Sequence, residues 1–266
     1  IAVPELPKGR VIVPAEKAYK YGYQGVMDLV PVPFYEGIDQ SYPCNFNRSA
    51  DCFYCIEPEQ QPWITSLDEN GTGLIQTSTS LLRGRKLFVW GMSAGGRHWQ
   101  EFLSVPGSQY IEIQAGLART QSEYLQMPAN TEWSWLEAYG MMQADPKIVH
   151  GPDWKYAYAS VDRILKENMP LELLEDMLIK TSKMSDSLPI EVIQYGTGWG
   201  ALELHRRKKM GEKPFCSNAL IFADESLGDD QKPWLTLLNE GRFPSGDPKD
   251  IPGAWMVQAE WQRLLE

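Results

Sequence analysis

The chain has 266 residues and a formal net charge of -10, from 35 acids against 25 bases. That length allows one large domain or two ordinary ones with a buried core. The acidic balance lacks the basic footprint that nucleic acid or an anionic membrane surface requires. No apolar run approaches the roughly 18 residues of a spanning helix, so neither nucleic acid nor a membrane is an expected partner. No signal peptide is visible. The chain begins at Ile1 without Met, which a tag, a maturation site or an upstream segment would each explain.

Residues 1–142 read as β. VIVPAEKAYKY (11–21) is a strand broken at Pro14, and DCFYCIEP (51–58) is another. PWITSLDENGTGLIQTST (62–79) is a hairpin whose Asn70-Gly71 pair supplies positive φ. PVPFYEGIDQSY (31–42) is too irregular for a strand and reads as a loop. KLFVWGM (86–92) is an apolar strand that ends in a glycine-rich turn at SAGGR, with more β sequence beyond it. YIEIQAGLA alternates, with Ile111 and Ile113 on one face and Glu112 and Gln114 on the other. TEWSWLEAYG (131–140) alternates likewise and is expected to be a strand carrying Trp133 and Trp135.

After Met142 the period becomes helical. Residues 153–168 and 171–187 are amphipathic helices, and 190–211 is a third, with a basic last turn and a stop at Gly211. Residues 212–252, rich in Pro, Gly and Asp, read as an irregular arm, and 254–266 as a final helix.

Ten Trp, 12 Tyr and 8 Phe fit either a large aromatic core or a carbohydrate site, where rings stack on sugar faces. The four cysteines are Cys44, Cys52, Cys55 and Cys216. Cys52 and Cys55 form a CxxC within a strand, which points the thiols to opposite faces, and no second CxxC follows. Buried free thiols in a reducing, cytoplasmic setting are expected, with no metal and no cofactor. On spacing alone, Glu112 fits a solvated outer face better than a pocket; a desolvated carboxylate there would serve as a general base or acid. In Gly95-Gly-Arg97-His98-Trp99, Arg97 offers a clamp, His98 a titrating ring and Trp99 a stacking surface. Ser93 completes a G-x-S-x-G, set aside because that motif needs a strand-turn-helix elbow. Glu36 and Asp39 are loop carboxylates within reach of a polyhydroxylated ligand. Hydrolysis would need a second acid, for which Glu36, Asp39 and Glu132 are the candidates.

The order of VIVPAEKAYKY, PVPFYEGIDQSYPCNF, KLFVWGMSAGGRHWQEFLS and YIEIQAGLARTQSEYLQMPANTEWSWLEAYG resembles a large family of uncharacterised bacterial domains. That family is often joined to tetratricopeptide-type repeats and is classed with galactose-mutarotase-like β-supersandwiches. The resemblance spans roughly residues 3–142, and GWGALELHRRK and PGAWMVQAEWQRLLE in the tail look like the same group. It implies a mainly β fold with an α-helical C-terminal extension. Residues 1–142 would form the later part of a supersandwich, and residues 143–266 a helical extension with a long irregular arm. It also implies earlier strands lying upstream or on a second chain. The ExQ strand resembles the epimerase strand that carries the base. It makes Glu112 the catalytic candidate, with His98 as the local substitute for the epimerase histidine.

The expected function is that of a carbohydrate-active protein, epimerase-like or glycosidase-like, that binds a mono- or oligosaccharide on a concave sheet face. Glu36, Asp39, Trp90, Arg97, Trp99, Gln114 and Arg119 are its substrate-binding candidates, and Trp133 and Trp135 become core. The alternatives are a non-catalytic sugar-binding module on a helical scaffold, and a structural half-domain that assembles through its helices, a homo-oligomer included.

Overall fold

The computed structural model describes residues 1–22, 25–215, 217, 219–251 and 253–266, so Cys216 lies outside the described residues. It divides into two compact units, Ile1–Lys180 and Thr181–Glu266. The chain is mainly antiparallel β in its N-terminal part and helical in its C-terminal part. Among the described residues, no helix is long and apolar enough to cross a membrane.

The first unit holds two sheets. One has six strands in the order β1 (Ala2–Pro4), β11 (Tyr110–Gly116), β10 (Gly84–Val89), β7 (Ala50–Ile56), β3 (Ala15–Tyr21) and β4 (Met27–Pro31). The other has four, in the order β12 (Glu137–Gln143), β9 (Thr72–Ser78), β8 (Trp63–Leu67) and β2 (Arg10–Ile12). Pro14 falls where the chain leaves β2 in one sheet for β3 in the other, so the break seen in the sequence is a change of sheet. The sheets share one core. Leu87, Val89, Ile111 and Ile113 supply it from the six-stranded side, and Ile64 from the four-stranded side. Helix α3 (Trp154–Asn168), capped by Asp153, covers the far face of the four-stranded sheet, where Trp63 Nε1 donates to Asp162 at 3.2 Å.

Arg85 bridges the sheets. It projects from the inner face of β10 and is 1% exposed. Its guanidinium donates to the carbonyls of Leu82 (2.8 Å), Gly84 (2.9 Å) and Pro62 (2.9 Å), and to Ser78 Oγ (2.7 Å). Burial pulls its pKa down to about 10. Cys52 lies in the same core, and burial pushes its thiol up to about 11; Cys55, on the opposite face of β7, is half-buried.

The fold departs from several expectations. Residues 94–103 form a helix, α1 (Ala94–Leu103), rather than more strand. Ser93 caps it by accepting from the Gly96 amide at 3.3 Å. A Cβ at Gly96 would run into the carbonyls of Trp90 and Gly91, so this glycine lets the helix start against the end of β10. The loop at 31–42 contains a hairpin, β5 (Phe34–Tyr35) and β6 (Ile38–Asp39). Its two-residue turn has Glu36 at φ 52 and Gly37 at φ 76. Residues 131–136 are not a strand. Trp133 is half-buried and Trp135 exposed, because β12 starts only at Glu137 and pairs with β9 in the other sheet, leaving those tryptophans no neighbouring strand.

Helix α2 (Pro146–Val149) precedes α3, and α4 (Leu171–Ser185) runs across the division between the units. The third expected helix is shorter: α5 spans Trp199–Met210, because Gly196 and Gly198 precede it rather than interrupt it. Its stop at Gly211, φ 68, is as expected. The arm contains α6 (Lys232–Glu240), and the last helix shrinks to α7 (Ala259–Gln262). Leu202, Trp234, Leu237, Leu238 and Trp261 form the second unit's core. Above that core Glu203 accepts from Arg206 Nε (2.9 Å), Arg207 Nε (2.8 Å) and Trp261 Nε1 (2.9 Å).

Candidate functional site

Alternation in three adjacent strands builds one polar and aromatic face on the outside of the six-stranded sheet. In β10, Leu87 and Val89 enter the core, which leaves Lys86 and Phe88 outside. In β11 the isoleucines go in, and Glu112 and Gln114 are left outside, half-buried. In β7, Cys52 and Tyr54 go in and Asp51 and Phe53 face out. Register then sets the neighbours. Gln114 lies opposite Lys86, Lys86 opposite Phe53, and Phe53 opposite Tyr19 of β3. One step along the strands, Glu112 lies opposite Phe88, and Phe88 opposite Asp51.

The side chains pair within this grid. Gln114 Nε2 donates to Glu112 Oε2 at 2.8 Å. Lys86 Nζ stands 2.6 Å from the Asp51 carboxylate, with 10% of the lysine side chain and 21% of the aspartate exposed. The same ammonium lies 5.2 Å from the Phe53 ring centroid and 5.6 Å from that of Phe88. Tyr21 meets Phe53 edge-on at 5.8 Å. Asp51 and Glu112 stand two strands apart, roughly 10 Å at the backbone.

Trp90 continues this face. Its ring meets Phe88 edge-on at 4.8 Å and stacks with Trp99 at 6.0 Å and 19°. Its Nε1 is buried without a hydrogen-bond partner among the described residues. Arg97 and His98 are exposed on α1, as is Trp99 at 49%. Arg119 follows β11 and pairs with Glu123 at 3.1 Å. It lines a cavity of about 400 Å³ together with Phe53, Lys86 and Gln114.

The two loop acids part company. Glu36, at the tip of the β5–β6 hairpin, is exposed and borders a cavity of about 330 Å³ with Lys20, Arg48 and Asp51. Asp39 instead accepts from the Ser41 amide (3.0 Å) and hydroxyl (2.5 Å) and faces Arg10 at 3.4 Å. Arg10 is 1% exposed and also donates to the carbonyls of Val149 and Gly151, so Asp39 belongs to a network that ties the loop to α2.

The sequence thus placed Glu112 and Gln114 on a common face but missed Lys86, Asp51, Phe53, Phe88 and Tyr19. Their signal was the period-2 alternation of KLFVW and DCFYC; what was lacking was the pairing of β7 with β10 and β11. Ser93 does stand in a strand-turn-helix setting, contrary to expectation. Its φ of -66 is unstrained, and its hydroxyl accepts from the Gly96 amide as the helix cap, so its role is that of a capping serine. His150 uses both ring nitrogens, on Tyr42 Oη (3.1 Å) and the Asp68 carbonyl (2.8 Å), and His205 meets Asp224 at 2.9 Å. Among the described residues, no cluster of three His, Cys, Asp or Glu side chains forms a metal site.

Residues 14–137 match a family described as a domain of unknown function (DUF5107). That stretch contains every residue of the grid from Tyr19 to Gln114. No curated protein matches the chain. A TPR-domain containing protein from Parabacteroides distasonis ATCC 8503, known from its crystal structure, is similar at 18% identity with a TM-score of 0.38. The similarity covers 53% of this chain and 22% of that one, so the chain spans about a fifth of that protein's length.

Proposed function

We propose that the outward face of the six-stranded sheet binds a mono- or oligosaccharide, with Glu112 as general base or acid of an epimerase-like or glycosidase-like reaction. The galactose-mutarotase-like resemblance supports this reading. One observation carries it: a half-buried carboxylate and its amide partner share a sheet face with Phe53, Phe88 and an ion-paired lysine. The half-buried Phe88 ring offers stacking surface to the flat face of a sugar, the buried Phe53 ring packs against Lys86, and the fixed donors and acceptors beside them suit hydroxyls. A second reading, a non-catalytic sugar-binding module, draws on the partners of Glu112. Its carboxylate is held by an amide, and His98 is exposed on α1.

Titration with a broad saccharide panel, followed by Trp fluorescence, tests binding; a flat signal with no shift in Tm rejects both readings. Glu112→Gln then separates them. Lost turnover with retained binding supports catalysis, whereas binding without turnover in the wild type leaves the module.

A further inference from the structure

The Asp51–Lys86 pair is a poor device for stability. Both side chains are nearly enclosed, at 10% and 21% exposure, and the desolvation of such a pair offsets most of its attraction. Its geometry suits recognition instead. The Lys86 ammonium has three N–H donors, one directed at Asp51, and the Asp51 carboxylate keeps acceptor capacity. The flanking Phe53 and Phe88 rings hold the ammonium in place. Across Phe88, the Glu112–Gln114 pair offers a second fixed set of acceptors and donors. Two polar pairs therefore stand on either side of one ring, spaced roughly 10 Å at the backbone, which matches the span of hydroxyls around one or two sugar rings.

Charge narrows the ligand further. Lys86 is matched by Asp51, and Arg119 by Glu123. Among the described residues, the partner of Glu112 is the neutral Gln114 amide. Among the outward side chains of β7, β10 and β11, Asp51 and Glu112 thus stand against Lys86 alone, and one carboxylate is in excess. An anionic ligand would meet that carboxylate in a partly desolvated setting, where like charges repel strongly.

We propose that Asp51–Lys86 and Glu112–Gln114 are specificity-determining pairs that read ligand hydroxyls on both sides of Phe88, and that the site takes an uncharged saccharide and rejects uronates and sugar phosphates. This rests on the saccharide reading above. Calorimetric titration of the full chain tests it with D-galactose, D-glucose, lactose and cellobiose as neutral probes, and D-galacturonate and D-galactose 6-phosphate as acidic ones. The wild type should bind at least one neutral probe at least about tenfold more tightly than either acidic probe. Asp51→Asn/Lys86→Met, checked for folding by near-UV circular dichroism, should lose about tenfold or more for the neutral probe, the value of a lost charge-assisted hydrogen bond. Glu112→Gln should shrink the penalty against galacturonate without unfolding the protein. Equal or tighter binding of an acidic probe by the wild type overturns the proposal, as does a folded double variant that binds as the wild type does. In both cases the saccharide reading survives. If no probe binds the wild type, both fall together.

Discussion

Replacing Arg85 with Met should destabilise the first unit by about 3 kcal/mol. The guanidinium gives four hydrogen bonds between the sheets. Two of its acceptors keep other donors, since Ser78 Oγ still serves Leu82 and Thr77 Oγ1 still serves Pro62. The Gly84 carbonyl keeps its place opposite Gly116 in the β10–β11 ladder, so the variant leaves no orphaned carbonyl. The four lost bonds cost about 1 kcal/mol each, and relief from burying a charge returns part of the total. For a unit of this size, such a loss lowers Tm by about 6–12 °C. Thermal unfolding followed by circular dichroism and calorimetry reads it directly. An unchanged or raised Tm would show that desolvating the guanidinium costs all that its bonds provide, and would refute Arg85 as the tie between the sheets.

Two further outcomes follow from local geometry. Ser93→Ala should cost about 1 kcal/mol through loss of the α1 cap, while an activated fluorophosphonate probe should leave the wild type unlabelled; labelling that disappears in the variant would make Ser93 a nucleophile after all. In the second unit, burial raises the Glu203 carboxyl, but hydrogen bonds from Arg206, Arg207 and Trp261 outweigh it and bring the pKa from 4.5 down to about 2. A lowered carboxyl stabilises the fold above its free value and loses that contribution as pH falls through the folded one. Helical signal should therefore decline between about pH 4.5 and 2, and Glu203→Gln should flatten that limb; an identical acid limb in the variant would contradict the assignment.

The strands were legible where alternation and turn chemistry agreed. YIEIQAGLA placed Ile111 and Ile113 inward and Glu112 outward, and Gly71 gave the hairpin its positive φ of 75. Helix α1 was not legible, because Gly95 and Gly96 read as a turn when the helix start in fact needs Gly96 to approach Trp90 and Gly91. The alternating TEWSWLE pattern misled for the opposite reason: periodicity marks a strand only where an edge exists to receive it, and β9 receives the chain only from Glu137. Half of the candidate face was visible as Glu112 and Gln114. The other half depended on register across three strands distant in sequence. Nothing in DCFYC or KLFVW alone says that Asp51 and Lys86 meet.

The central claim is that a saccharide occupies the outward face of the six-stranded sheet. Backbone amide chemical shifts, recorded while a binding saccharide is titrated into the isotopically labelled chain, test it most directly. The account predicts perturbations concentrated at Asp51 and Phe53, at Lys86 through Trp90 and at Glu112 through Gln114, with the amides of α3 and of the second unit unmoved. Shifts confined to other elements, or no shifts with any saccharide, would contradict it.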